Sequence, residues 1–165
     1  MIRFPSRLAV SLSLALLTVS LALAADQFSG KVVAITDGDT IKVMHQGQAV
    51  KVRLYGVDSP EKRQPFGKRA KQFTASLAFE KMVTVEVKGR DTYDRIIGEV
   101  ILPDGHNLNH ELVRAGFAWW YERYAPNDNT LSELESKASE AMEGLWADSN
   151  PIAPWEWRKQ SRDRR

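Results

Sequence analysis

The chain contains no cysteine among its 165 residues. This absence excludes a disulfide framework, a cysteine nucleophile and zinc sites built on thiolates. Histidine is scarce, and the three histidines show no metal-ligand spacing with one another. The sequence also lacks a Gly-x-Ser-x-Gly motif and a glycine-rich loop of the kind that cradles phosphate. These absences leave few of the familiar arrangements for nucleophilic or metal-thiolate catalysis.

Only one long apolar run occurs, and it lies at the N-terminus, between Leu8 and Ala24. It follows Arg3 and Arg7 and ends in the small-x-small form that signal peptidase recognises. An uncleaved membrane anchor is the alternative, but the serines and threonines in the run favour cleavage. We predict a signal peptide over residues 1–24. The mature protein is then periplasmic or extracellular, with no stable membrane association after cleavage.

The charges of the mature chain balance. The full sequence has 23 basic and 21 acidic residues, and removal of Arg3 and Arg7 leaves 21 basic residues. Net charge therefore gives no support for a polyanionic partner. A chain of 165 residues with 43% hydrophobic and 27% charged residues is expected to form one compact domain, which we predict over residues 25–150. The basic segment 151–165 is predicted to be a partly flexible, frayed tail.

Hydrophobic periodicity predicts five strands and three helices. Three strands come first, then a helix, then two strands and two helices. The strands are expected near 28–35, 40–44, 49–57, 83–88 and 96–102, and the helices over 68–79, over 108–115, and from a capping box at Thr130 and Glu133. This order is typical of an α+β fold built on a five-stranded Greek-key β-barrel, the OB-fold, although composition alone also allows other small α+β domains.

A hairpin turn at residues 46–47 brings chemically useful residues together. With this two-residue loop, Thr40 faces Arg53 across the second and third strands. Arg53 then lies close to the acidic turn 37–40, and the segment 58–61 leaves the end of the same strand. Three or four carboxylates therefore converge beside one arginine.

Such a cluster suits a hard cation, because carboxylates packed together without one repel each other. Asp39 and Asp58, with a backbone carbonyl and waters, form an oxygen-only set appropriate for Ca²⁺. The alternative is two ordinary Asp-rich turns. An EF-hand is excluded, since the twelfth position counted from Asp37 is Gln48 rather than Glu.

Several motifs together resemble the micrococcal nuclease family. They are Asp37-Gly-Asp-Thr40, Arg53-Leu-Tyr-Gly-Val-Asp58-Ser-Pro-Glu61, Asp91-Thr-Tyr-Asp-Arg95, Asn107-Leu-Asn-His-Glu-Leu-Val-Arg-Ala-Gly116 and Tyr124-Ala-Pro-Asn127. The resemblance covers roughly residues 28–147. It implies an OB-fold enzyme, a Ca²⁺-dependent, sugar-nonspecific endonuclease that cuts DNA and RNA to 3′-phosphate and 5′-hydroxyl ends. A monomer is expected. The alternatives are a catalytically inactive nucleic-acid-binding module of the same fold and a Ca²⁺-dependent structural module.

The resemblance also assigns roles to individual residues. Asp39, Asp58 and the backbone carbonyl of Ser59 would bind Ca²⁺. Glu61 would reach the ion through water and act as the general base, and Arg53 and Arg95 would bind the scissile phosphate.

Tyrosines are implied as substrate-binding residues, and two positions depart from the family pattern. Tyr93 and Tyr124 match the family, and Tyr121 is the candidate aromatic partner of Tyr124. Asp94 stands where the family usually has Gly, and Thr92 where it has Lys or Arg. Both departures are expected to weaken substrate or product binding more than the chemistry.

Overall fold

The computed structural model describes residues 26–164. The signal peptide predicted over residues 1–24 lies outside this range. Among the described residues, no helix combines the length and apolar character needed to cross a membrane.

Residues 26–164 form seven strands, four α-helices and one short 3₁₀ turn. The strands are β1 Gln27–Asp37, β2 Thr40–His45, β3 Gln48–Leu54, β4 Val57–Asp58, β5 Met82–Arg90, β6 Ile96–Ile101 and β7 Trp119–Trp120. The helices are α1 Gly67–Ala78, α2 Leu108–Arg114, α3 Asn129–Glu140 and α4 Pro154–Asp163, and the 3₁₀ turn is Gly144–Ala147.

Five strands close into a barrel in the order β1-β2-β3-β6-β5. The first half of β1 pairs with β5 and its second half with β2, and two register shifts in β1 allow this long strand to bend. The parallel pairing of β3 with β6 completes the barrel. The predicted α+β, five-stranded barrel is confirmed, with four helices where about three were expected.

Alternating aliphatic residues fill the barrel interior and continue beneath the helices. Their burial is the main favourable contribution to folding, at about 25 cal/mol per Å² of apolar surface. Fully or almost fully buried members include Val32, Ile41, Val43, Val52, Leu54, Val85, Val100, Leu108, Leu112 and Leu131.

The register predicted for the β2–β3 hairpin is confirmed. Thr40 pairs with Arg53, and His45 pairs with Gln48. Gln46 and Gly47 both have positive φ, 48° and 80°, as a tight hairpin loop of this kind requires. Arg53 is thereby fixed beside the turn between β1 and β2.

The predicted start of the third helix is wrong by two residues. Asp128, rather than Thr130, caps α3, since its Oδ1 accepts a hydrogen bond from the backbone N–H of Leu131 at 3.0 Å. An aspartate is a stronger N-cap than a threonine, so the acidic residue takes this position.

The C-terminal segment also differs from the predicted frayed tail. Pro154 occupies the first turn of α4, where proline is well tolerated because no intrahelical donor is needed there. The indole of Trp155 stacks on the ring of Tyr121, with centroids 5.0 Å apart and planes at 6°, and meets Trp119 edge-on at 5.8 Å. These aromatic contacts hold α4 against the rest of the domain.

Candidate active site

Two buried carboxylates lie at one end of the barrel, joined by one guanidinium. Asp39, in the turn after β1, and Asp58, on β4, are only 2% and 1% exposed. Nη1 of Arg53 contacts Oδ1 of Asp39, and Nη2 donates to Oδ1 of Asp58 at 2.8 Å. Arg53 Nη2 also donates to the carbonyl oxygen of Val57 at 3.1 Å. The structure therefore brings these three predicted site residues together.

Close packing fixes the turn that carries Asp39. A Cβ atom at Gly38 would lie 2.6 Å from Cβ of Ser59 and 2.9 Å from Cβ of Ala70, so only glycine fits. The Thr74 hydroxyl, on α1, donates to the carbonyl oxygen of Gly38 at 2.6 Å. The position of Asp39 is thus set by α1 as well as by the barrel.

Ser59 links the two acidic segments through its backbone. Its N–H donates to Oδ2 of Asp39 at 2.6 Å, and its hydroxyl donates to the carbonyl oxygen of Phe117 at 3.0 Å. The side chain is used to hold the segment, which leaves only backbone atoms of Ser59 for other functions.

Glu61 lies on a short, well-supported loop between β4 and α1. Its backbone N–H donates to Oε1 of the buried Gln64 at 3.0 Å. Nε2 of Gln64 in turn donates to the carbonyl oxygen of Ile152 at 2.6 Å. A Cβ atom at Gly67 would overlap the carbonyl oxygen of Glu61. The Glu61 side chain itself is 43% exposed.

Arg158, on α4, completes the cluster and was missed by the sequence analysis. Its Nη2 donates to Oδ2 of Asp58 at 2.7 Å, and its Nη1 donates to Oε1 of Glu61 at 2.7 Å and to Oδ1 of Asp58 at 3.3 Å. Burial lowers the pKa of Arg158, but the two carboxylates outweigh this and raise the pKa above its ordinary value. The proline at the start of α4 was the available sequence signal for a helix here.

Arg95 lies outside this ion-pair cluster and is held by Asp91. Its Nε donates to Oδ2 of Asp91 at 2.7 Å. Burial raises the pKa of the Asp91 carboxyl, but hydrogen bonds from the Arg95 and Tyr93 amides and the Arg95 side chain lower the pKa overall. Asp91 is therefore ionised at neutral pH and fixes one edge of the Arg95 guanidinium.

Arg95 lies directly before β6, the strand that runs beside β3. Arg53 pairs with Ile97, two residues after Arg95, across the parallel β3–β6 contact. Within residues 26–164, Arg95 forms an ion pair with Asp91 and none with Asp39, Asp58 or Glu61.

The three predicted substrate-binding tyrosines lie in two places. Tyr93 is 81% exposed beside Arg95, whose guanidinium carbon lies 5.7 Å from the ring centroid. Tyr124 is 61% exposed and meets Tyr121 edge-on at 4.8 Å. The Tyr121 ring is stacked on Trp155, so one of its faces is already covered.

Comparison with known proteins decides the family. Residues 51–148 match the family described as staphylococcal nuclease homologue, which is more than half of the chain. The chain belongs to the staphylococcal nuclease family. The resemblance predicted from the motifs is confirmed, and with it the enzyme class, a phosphodiester hydrolase of the nuclease type.

Relatives in this family include bacterial and plant proteins. An uncharacterized endonuclease of Escherichia coli is 46% identical over 129 residues, which cover 78% of this chain and 84% of that protein. A micrococcal nuclease of Shigella flexneri is 41% identical over 156 residues, covering 89% of each chain. A staphylococcal-like nuclease of Arabidopsis thaliana is 37% identical over 112 residues, covering 68% of this chain and 34% of that protein.

The donor set of this staphylococcal nuclease homologue fits a hard divalent cation. Asp39 and Asp58 are almost fully buried. Each of their four carboxylate oxygens contacts a guanidinium group, a hydroxyl or a backbone N–H. In residues 26–164, no group of three or more acidic or imidazole side chains converges as a preformed metal cage. Two carboxylates completed by carbonyl oxygen and water are nevertheless a common ligand set for such ions.

Proposed function

We propose that the chain is an exported, monomeric, Ca²⁺-dependent endonuclease that hydrolyses DNA and RNA without sugar specificity. Its products would carry 3′-phosphate and 5′-hydroxyl ends. One observation carries the proposal: Arg53 joins two buried carboxylates, and Arg158 links one of them, Asp58, to Glu61, the one partly exposed acid in the cluster. This arrangement supports a cation site, a phosphate-binding guanidinium and a general base at one end of the barrel.

Asp39 and Asp58, with the Ser59 carbonyl, would hold the Ca²⁺ ion. When bound, the ion supplies positive charge that offsets the negative charge developing on the phosphoryl oxygens. Both carboxylates lie on segments fixed by the barrel and α1, so little reorganisation is required of them.

Glu61 would activate the attacking water. Its carboxylate would accept a proton from water as the water oxygen attacks phosphorus. The bond from phosphorus to the 5′-oxygen would break, and that oxygen would take a proton from solvent water to give the 5′-hydroxyl end. Its partial exposure gives water access to the carboxylate, while Gln64 fixes the loop backbone. General base catalysis contributes roughly 10²–10⁴-fold, equal to about 3–5 kcal/mol.

The arginines would supply much of the remaining stabilisation. Phosphodiester hydrolysis needs an acceleration near the upper end of the enzymatic range, about 20 kcal/mol, so the base alone is insufficient. The Arg53 side chain is only 18% exposed, and its two terminal nitrogens contact Asp39 and Asp58, so the carboxylates proposed to hold the cation also orient this guanidinium. Arg95, directly before the strand that pairs with β3, would stabilise the leaving 5′-oxygen, with one edge of its guanidinium fixed by Asp91.

A catalytically inactive nucleic-acid-binding module is the competing proposal. Such a module needs a basic or aromatic surface but has no use for a glutamate beside a buried pair of carboxylates. The combination of Glu61 with Asp39 and Asp58 therefore favours the enzyme.

One experiment tests the proposal. Purified mature protein is incubated with supercoiled plasmid and, separately, with single-stranded RNA, in Ca²⁺ or in excess EGTA. We expect fragmentation of both only with Ca²⁺, with ends that require phosphatase treatment before they can be extended from the 3′ side. Intact but electrophoretically retarded DNA in both conditions would establish the binding module instead.

A further inference from the structure

We propose that α4 forms an autoinhibitory contact, in which Arg158 occupies the acidic cluster in place of the divalent cation and must leave when the metal binds. The inference rests on the proposed function for the roles of Asp58 and Glu61. Its content is regulatory: the C-terminal helix sets the apparent metal affinity of the site and the availability of the base.

The contacts of Arg158 coincide with the atoms that the reaction needs. Its two terminal nitrogens lie 2.7 Å from Oδ2 of Asp58 and 2.7 Å from Oε1 of Glu61. A Ca²⁺ ion would approach a carboxylate oxygen to about 2.3–2.6 Å. A Ca²⁺ ion bound to Oδ2 of Asp58 would repel the guanidinium of Arg158, which donates to that same oxygen at 2.7 Å. The same guanidinium covers the Glu61 oxygen that would accept a proton from water.

Charge balance supports this exchange. Asp39, Asp58 and Glu61 carry three formal negative charges, and Arg53 offsets one of them. With Arg158 present the cluster has a net charge of −1, and without it the net charge is −2, the value that one divalent cation neutralises. Arg158 therefore acts as a partial substitute for the ion and keeps the buried carboxylates paired in the metal-free protein.

Helix α4 is suited to leave the site. Of its ten residues only Pro154 is buried, and the Arg158 side chain is 40% exposed. The helix is held by the stacking of Trp155 on Tyr121 and by few other buried groups. Elements with little buried surface open at low free-energy cost.

The hydrogen bond from Gln64 to Ile152 connects this helix to the base. Gln64 holds the backbone of Glu61 through one end of its amide and the carbonyl of Ile152, just before α4, through the other. Movement of α4 would therefore change the position of the Glu61 loop as well as the contacts of Asp58.

A role for Arg158 as a third phosphate-binding group is the alternative. It is disfavoured because Nη1 of Arg158 covers Oε1 of Glu61, an oxygen that would otherwise accept a proton from water. A guanidinium that binds substrate usefully would instead leave the base free to contact water.

The test compares Ca²⁺ binding by the full mature chain with that of Arg158→Gln, using isothermal titration calorimetry without substrate. Arg162→Gln is the matched control, because it removes the same charge one helical turn further along at an exposed position. We expect Arg158→Gln to bind Ca²⁺ about tenfold more tightly, the effect of removing a contact that favours the closed state by that factor. Arg162→Gln should stay within about twofold of wild type.

Two further measurements keep the proposal testable if Arg158→Gln folds poorly. Trp155→Ala, which weakens the anchoring of α4 without touching the acidic cluster, should also tighten Ca²⁺ binding. In the wild type, amide hydrogen exchange over 154–163 should accelerate when Ca²⁺ is added.

The outcomes separate this inference from the proposed function. Unchanged or weaker Ca²⁺ binding by Arg158→Gln overturns the autoinhibitory contact, and so does the absence of Ca²⁺ binding by both proteins. Weaker binding of a DNA fragment with unchanged Ca²⁺ affinity would establish the phosphate-binding alternative. Tighter Ca²⁺ binding without cleavage by either protein would support the contact while refuting the nuclease proposal.

Discussion

At the scale of single residues, the site depends on which acids are buried and which are accessible. Asp39 and Asp58 are almost completely enclosed, whereas Glu61 is 43% exposed. The two enclosed carboxylates are suited to hold a cation, because their positions are fixed and water competes poorly for them. The exposed carboxylate can exchange protons with water. Burial thus separates the roles of three chemically similar side chains.

The first prediction concerns Glu61→Gln. Loss of the proton acceptor should reduce kcat by roughly 10²–10⁴-fold, while Ca²⁺ affinity stays within about tenfold because Glu61 would reach the ion only through water. Single-turnover cleavage and calorimetry measure the two quantities separately. Glu140→Gln, an exposed carboxamide substitution on α3, is the control. Wild-type turnover by Glu61→Gln would remove Glu61 from the role of general base.

The second prediction concerns Asp94, which lies in the left-handed region with φ of 57°. The usual family residue at this position, Gly, adopts this conformation without cost, and Asp tolerates it better than most residues. Asp94 also places a carboxylate beside Arg95 and pairs with Arg90 at 2.9 Å.

Asp94→Gly should therefore lower KM for DNA by about two- to fivefold at low ionic strength, with little change in kcat. Asp94→Asn removes the charge but keeps a side chain, so it separates the electrostatic effect from the conformational one. Steady-state cleavage assays measure both constants. An unchanged KM in both variants would show that this carboxylate does not oppose substrate binding.

At the scale of elements, the barrel was predictable from local pattern, whereas the position of the C-terminal helix against the site was not. Period-two alternation and a two-residue loop specify the β2–β3 hairpin locally, which is why the pairing of Thr40 with Arg53 could be derived. Helix α4 depends on contacts of Trp155 with Tyr121 and Trp119, more than thirty residues earlier in the chain. Local pattern carries no information on such packing, so Arg158 could not be assigned to the site.

The third prediction concerns α3 and the pH dependence of stability. Burial raises the pKa of Glu135; a hydrogen bond from the Trp120 N–H at 2.9 Å lowers the pKa in part, and the nearby Glu122 carboxylate raises it. Because the pKa of Glu135 is higher in the folded state, its protonated form stabilises the fold, and this contribution is complete below the ordinary pKa near 4.5. It is lost as pH rises through the folded-state pKa.

Glu135→Gln retains an acceptor for the backbone N–H of Trp120 and removes the partly buried charge. Its Tm should exceed that of wild type at pH 8, and the difference should shrink toward zero near pH 4. Thermal unfolding followed by far-ultraviolet circular dichroism measures this difference. A Tm difference between Glu135→Gln and wild type that is smaller at pH 8 than at pH 4 would contradict burial as the cause of the raised pKa.

At the scale of the whole molecule, the site residues come from segments that are far apart in the sequence and that the fold brings together. The cluster draws Asp39 from a barrel turn, Asp58 and Glu61 from the segment leading into α1, and Arg158 from the last helix. The family and the enzyme class could be predicted because the first three lie in recognisable motifs. The position of Arg95 outside the ion-pair cluster could not be predicted. Its partner Asp91 lies in the same motif, and the sequence does not show which acid Arg95 contacts.

The fourth prediction links metal binding to global stability. A ligand at 100 times its Kd stabilises the folded state by about 2.7 kcal/mol, which corresponds to a rise in Tm of about 5–10 °C for a chain of this size. We expect this rise with Ca²⁺, reversed by EGTA, in calorimetric unfolding scans. Asp58→Asn should abolish it, whereas Asp104→Asn, in an exposed turn, should retain it. A full rise in Asp58→Asn would place the ion elsewhere.

The clustering of the indole side chains has a practical consequence. All five tryptophans lie between residues 119 and 157, and Trp119 contacts both Trp146 and Trp155. Tryptophan emission therefore reports mainly on the segment 119–157, since the five strands of the barrel contain no tryptophan. Denaturation curves recorded by emission and by a backbone probe will coincide only if both regions unfold together, so a difference between their midpoints would measure how independently the C-terminal helix detaches.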